Sequence, residues 1–160
     1  MDEAVFIKSD IGAQAAWKGF SSQTLYIAYR LVTDIQGCEY YPEDIEDLVV
    51  KYNGEVIEAV QVKNITADLT VSHLSSTKTS KGGEGFFKRM RSLHYKYPNF
   101  KTIKVVYFRD LGVELQDLEK GDEKTIESIR AKLVDNHGLL DADAEWLLDS
   151  LKFEKVEEKQ

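Results

Sequence analysis

The chain reads as an α/β protein, and three observations carry that reading. Residues 46–63, EDLVVKYNGEVIEAVQVK, hold two apolar runs around Asn53-Gly54, a strong short-range hairpin signal. Residues 102–109, TIKVVYFR, are β-branched and aromatic enough to form a strand. Around these stretches, apolar residues recur at helical spacing.

Taken in order, Ser21 or Ser22 caps a helix running to about Val32, with Leu25, Ala28, Tyr29 and Val32 on one face. The hairpin follows. TADLTVSHLSSTKTSKGGEG, 66–85, is rich in Ser, Thr and Gly and reads as a short helical turn and a flexible loop. Phe86 to about Tyr95 forms a helix with Phe86, Phe87, Met90 and Leu93 or His94 inward. Beyond the 102–109 strand, Lys124 to Asn136 places Ile126, Ile129, Leu133 and Val134 on an amphipathic helix closed by His137-Gly138. Asp141 or Asp143 caps a further helix through Leu151, with Trp146, Leu147 and Leu151 inward. LKFEKVEE alternates and reads as a last strand.

The 160 residues suit one domain, 1–160, with a sizeable core. The tail VEEKQ has no fold signal, as expected where the first domain of a longer protein ends. A single cysteine, Cys38, cannot form an internal disulfide. The opening MDEAVFIKSD has neither the basic start nor the apolar run of an export signal, and no long apolar run follows. A soluble, cytoplasmic protein without membrane contact is expected. His73, His94 and His137 lack ligand spacing to one another or to Cys38, which argues against zinc. No Gly-x-Ser-x-Gly elbow and no phosphate-binding Gly-x-x-x-x-Gly-Lys-Ser/Thr loop is present.

The chemistry concentrates on the hairpin. Asp47 lies on its first strand, and Gln61 and Lys63 end the second, where the apolar pattern leads one to expect core. A carboxylate and an amide oxygen can ligate Mg²⁺, and an amine can orient water or offset charge on a phosphate. Gln61 and Lys63 share a face with Ala59 and Ile57, while Glu58 points the other way. A two-residue Asn53-Gly54 turn would pair Asp47 near Val60 and hand the acidic role to Glu46. A three-residue loop, Tyr52-Asn53-Gly54 with a bulge, would put Asp47 on the Gln61/Lys63 face. The plain alternative is a solvated hairpin with ordinary surface charges.

With an acid, a hairpin and Gln-x-Lys in this order, the chain resembles the PD-(D/E)XK nuclease superfamily in its Q-x-K variant, as in Mrr-like restriction enzymes. It looks closer to the N-terminal double-stranded-DNA endonuclease domain of prokaryotic anti-phage effectors of the CBASS kind. The resembling stretches are GFSSQTLYIAYRLV (19–32), PEDIEDLVV (42–50), EAVQVKN (58–64) and FFKRM (86–90). The resemblance implies a restriction-endonuclease-like core, a central mixed sheet flanked by helices. It implies Asp47 and Gln61 as ligands of Mg²⁺ (or Mn²⁺), Lys63 as the catalytic amine, and Gln23 of the first helix as a polar group beside the metal. It also implies a C-terminal sensor or ATPase region in the intact protein, and cutting both strands with a pair of sites makes a homo-oligomer, a dimer or larger, the expected assembly. The commoner form has Glu where this chain has the neutral Gln61, which removes one negative charge and weakens Mg²⁺ affinity.

The net charge of −7 is unusual for a DNA binder until it is placed along the chain. Residues 78–109 carry nine basic side chains and one acid, a balance of +8 between two acidic flanks. Phosphate binding needs only a local positive surface. Lys78, Lys81, Lys88, Arg89 and Arg91 are the expected contacts to a double-stranded DNA backbone. The expected activity is therefore Mg²⁺-dependent endonuclease cleavage of duplex DNA in antiviral defence. The alternative is a catalytically inert module of the same fold, used for nucleic-acid binding or assembly.

Overall fold

The computed structural model of the protein describes residues 22–34, 36–42, 47–75 and 85–157. A helix over 22–33 (α1) leads into strand β1, Cys38–Pro42, then β2, Leu48–Tyr52, and β3, Glu55–Lys63. A short helix α2, Val71–Ser75, and the longer α3, Phe86–Lys96, precede β4, Thr102–Tyr107. Three helices follow, α4 (Val113–Glu119), α5 (Glu123–His137) and α6 (Asp141–Ser150), before β5, Leu151–Lys155. The strands form one sheet in sequence order, antiparallel from β1 to β3 and parallel from β3 to β5. The fold is thus α/β, with a mixed sheet flanked by helices.

The two faces of the sheet differ in kind. One carries Val49, Ala59, Ile103 and Val105 and is covered by Phe87 and Met90 of α3, Leu133 of α5 and Leu147 of α6. The other carries Leu48, Val50, Val60, Val62 and Val106 and receives Tyr26 of α1. Among the described residues no helix is long and apolar enough to cross a membrane.

Several elements match their sequence patterns. In α3, Phe86, Phe87, Met90 and Leu93 are buried. α5 starts at Asp122, whose side chain accepts from Thr125 N, and ends on Gly138 in the left-handed conformation. α6 departs from expectation at both ends. Its N-cap is Leu140, and Asp143 is instead buried and accepts from the hydroxyl of Tyr95. The helix also stops at Ser150, so that Leu151 opens β5.

α1 is rotated from the simplest reading of its pattern. Tyr26 and Arg30 face the sheet, while Leu25 (70 % exposed), Ala28, Tyr29 and Val32 (85 %) face outward. A charged partner for Arg30 on the sheet, described below, outweighs the apolar stripe in setting this rotation.

The hairpin turn also differs from the three-residue loop that would bring Asp47 to Gln61. Tyr52 pairs with Glu55, leaving Asn53 and Gly54 as a two-residue turn with φ of 52° and 80°. Both values are positive, as a type I′ hairpin turn requires. The extra residue sits in the strand instead. Lys51 pairs with Val56 and Val50 with Glu58, so Ile57 has no partner and forms a bulge. Beyond it the register runs Val49↔Ala59 and Leu48↔Val60. Asp47 therefore comes opposite Gln61 despite the tight turn.

Candidate functional site at the hairpin

Asp47 stands immediately before β2 and is half-buried. Gln61 Nε2 donates to Asp47 Oδ2 at 3.0 Å, and the main-chain N–H of Val62 donates to the same oxygen at 2.7 Å. A carboxylate only accepts, so the amide turns its NH₂ end toward Asp47 and its Oε1 away. Lys63, two residues along β3, lies on the same face beside Tyr107 of β4. It forms no ion pair with Asp47. The Tyr107 hydroxyl is pushed above its ordinary range by burial and by the nearby Glu119. This cluster lies at the carboxyl ends of the parallel strands β3 and β4, where α/β sheets commonly place ligands.

Gln23 is half-buried near the start of α1, whose packing residue Tyr26 is on the other face of the sheet. Its neighbour Ser22 is tied to the end of β3, with Asn64 Nδ2 donating to Ser22 Oγ at 2.6 Å. Glu46, the alternative acid, lies outside the described residues. Among those described, no group of three or more His, Cys, Asp or Glu side chains converges. The oxygen donors at hand are one carboxylate and one amide. Their hardness suits Mg²⁺ or Mn²⁺, and their single formal charge makes for weak binding.

Of the basic candidates, Lys88, Arg89 and Arg91 are on α3, the helix that covers the Asp47/Gln61 face. Lys88 is exposed, and Arg89 and Arg91 are half-buried. Lys78 and Lys81 lie outside the described residues. Lys104, part of the same basic run, is used differently. It points to the opposite face and approaches Glu154 at 3.6 Å and Glu58 at 3.9 Å.

That opposite face holds a charged network which sequence patterning passed over. Arg30 reaches from α1 to Glu58 through both terminal nitrogens, with Nη2 to Oε2 at 3.2 Å. Its Nε bonds both oxygens of Asp34, at 2.8 and 2.9 Å. Tyr26 donates to Glu154 Oε2 at 2.6 Å, and Tyr40 to Asp34 Oδ2 at 2.8 Å. Burial raises the Asp34 carboxyl, but the hydrogen bonds from Arg30 and Tyr40 outweigh it and hold that pKa below the ordinary value. The Tyr40 hydroxyl is pushed up to about 12 by desolvation and by Asp34. The signal was present in the sequence: single charges inside apolar strands, as at Glu58 in VIEAV and Lys104 in TIKVV. Buried charges so placed are either functional or paired, and these are paired.

His137 ends α5 against the ring of Phe87, with ring centroids 5.5 Å apart. Burial, and then the positive charge of Lys88, lower its pKa from the ordinary 6.5. As pH falls through 6.5 the unfolded chain takes up a proton that the folded chain resists. Stability should therefore decline below that pH, and His137 should contribute nothing above it. Melting curves across this range should show a shallower acid decline for His137→Gln than for wild type. An unchanged slope would remove His137 from the account.

Comparison of this chain with models of known families, with curated proteins and with solved structures gives no match, so the functional reading rests on its own residues.

Proposed function

We propose that the chain is a Mg²⁺-dependent endonuclease domain of restriction-endonuclease-like type that hydrolyses phosphodiester bonds of double-stranded DNA. The observation that carries this reading is the pairing of Asp47 with Gln61 on one face, with Lys63 two residues on and not locked to Asp47. Asp47 would hold the cation together with Gln61, whose amide would turn over to present Oε1 in place of the Nε2 that now donates to Asp47, with phosphate oxygens and water completing the shell. When bound, the ion would supply Lewis-acid stabilisation of charge on the phosphate. Asp47 is fixed for this task by the N–H of Val62, which orients its carboxylate. Lys63 would hold a water by hydrogen bond and offset charge at the phosphate. Lys88, Arg89 and Arg91 would hold the duplex backbone, giving salt-sensitive binding with little base reading. By the resemblance of its motifs, the domain would act in the cytoplasm in anti-phage defence, as an oligomer joined to a sensor or ATPase region.

A second reading has its own observation. Gln61 is neutral and donates to Asp47, a self-satisfied pair that needs no cation. This favours an inert module of the same fold used for nucleic-acid binding or assembly.

Plasmid cleavage separates the two readings. With Mg²⁺ at low salt, wild type should nick or linearise DNA, and chelation should stop it. Lys63→Ala should lower the rate roughly a hundredfold or more, the scale of losing one charge-stabilising group. Cutting that survives Lys63→Ala would move the chemistry elsewhere. Duplex binding without any cutting by the wild type would favour the inert module.

A further inference from the structure

We propose that β5 is a self-pairing edge, joining two copies of the chain antiparallel about a twofold axis at Phe153. The inference goes beyond the nuclease reading and stands without it. Among the described residues β5 is the last strand of the sheet, paired on one side only, with β4. Val156 N donates to Tyr107 O at 2.9 Å, which fixes the direction of the strand's main-chain groups. Residues 152, 154 and 156 turn their N–H and C=O toward β4, so those of Leu151, Phe153 and Lys155 turn outward. An outward row of this kind is a template for another strand.

Charge selects the partner and the register. In an antiparallel pair, hydrogen-bonded partners must both come from the outward set. Pairing Leu151 with Phe153 of a second copy would set Lys152 opposite Lys152. Pairing Phe153 with Lys155 would set Glu154 opposite Glu154. Centring on Phe153 instead sets each Lys152 opposite Glu154 of the other copy, and it uses all three outward residues. Opposite charges directly across a strand pair attract, and like charges repel.

The monomer leaves room for this. Lys152 is exposed, has no ion pair among the described residues, and is next to Lys104 in register. Glu154 is already oriented by Tyr26 and Lys104 through Oε2. On the other face, Phe153 borders a groove of about 310 Å³ that Leu118 and Leu148 line together with Glu119 and Asp149. Five residues a side make a small interface, so the dimer should be concentration-dependent.

Sedimentation or light scattering on the full chain across a concentration series tests this. Wild type should move from 18.3 kDa toward twice that mass as concentration rises. Lys152→Glu sets like charges opposite each other twice and should weaken the dimer roughly tenfold or more. Lys155→Pro removes an outward N–H at a position where an edge strand tolerates proline, and should also weaken it. Both variants should keep the wild-type circular dichroism, since neither alters a group turned toward β4. A wild type that stays monomeric at every concentration, or a dimer that both variants leave intact, would overturn the proposal.

Discussion

Replacing Arg30 with Met should destabilise the protein by about 3–5 kcal/mol, the range for breaking a buried ion pair from one side. Arg30 is 7 % exposed and Glu58 9 %, and they meet across the interface between α1 and β3. Removing the guanidinium leaves Glu58 with Lys104, at 3.9 Å, as its remaining cation among the described residues, and strips Asp34 of its main cation. The double variant Arg30→Met with Glu58→Leu should recover much of the loss, because a well-packed apolar pair avoids desolvating two charges. Denaturant titration of the two variants and wild type gives the answer. A single variant within 1 kcal/mol of wild type, on the order of a surface substitution, would mean that water or Lys104 already satisfies Glu58.

The second large effect belongs to Gln61→Glu. Gln61 is the donor in its contact with Asp47, so a carboxylate there turns a hydrogen bond into a like-charge encounter at about the same separation. Without metal, the variant should lose about 1.5–3 kcal/mol, the scale of a hydrogen bond to a charged group. Mg²⁺ should reverse the ranking. Two carboxylates attract a divalent ion far better than one, and a ligand bound only by the folded state stabilises it by mass action. Thermal melts with and without Mg²⁺ should show a small metal-induced rise for wild type and a large one for Gln61→Glu. Equal responses would argue that no cation enters between these two positions.

These expectations show where the sequence was readable. Elements built on strong local periodicity, such as α3 with Phe86, Phe87, Met90 and Leu93, follow directly from side-chain spacing. The strand β4 follows from its β-branched content. β1 did not stand out, because CEYYP is short, has no β-branched residue and ends on proline, as an edge strand can. α4, seven residues with Leu115 as its buried side chain, has too little pattern to be seen. α1 misled because its apolar stripe and its packing face are different faces. The packing face is set by Arg30 and Tyr26 reaching charges on β3 and β5, which no local window contains.

The candidate site was legible in its members and less so in its assembly. Asp47 and Gln61 do meet, but by a route that turn chemistry alone does not give. Asn53-Gly54 favours the tight turn strongly enough to push the odd residue into the strand at Ile57.

The unpaired Ile57 has a consequence for how this hairpin can change its length. Val56 and Ala59 already share one face and Glu58 takes the other, as they would in a regular strand lacking residue 57. Losing that codon would close the ladder with Val50 still opposite Glu58 and Asp47 still opposite Gln61. The tip carries a spare, so its length can drift by one residue while the chemistry at its base stays in place.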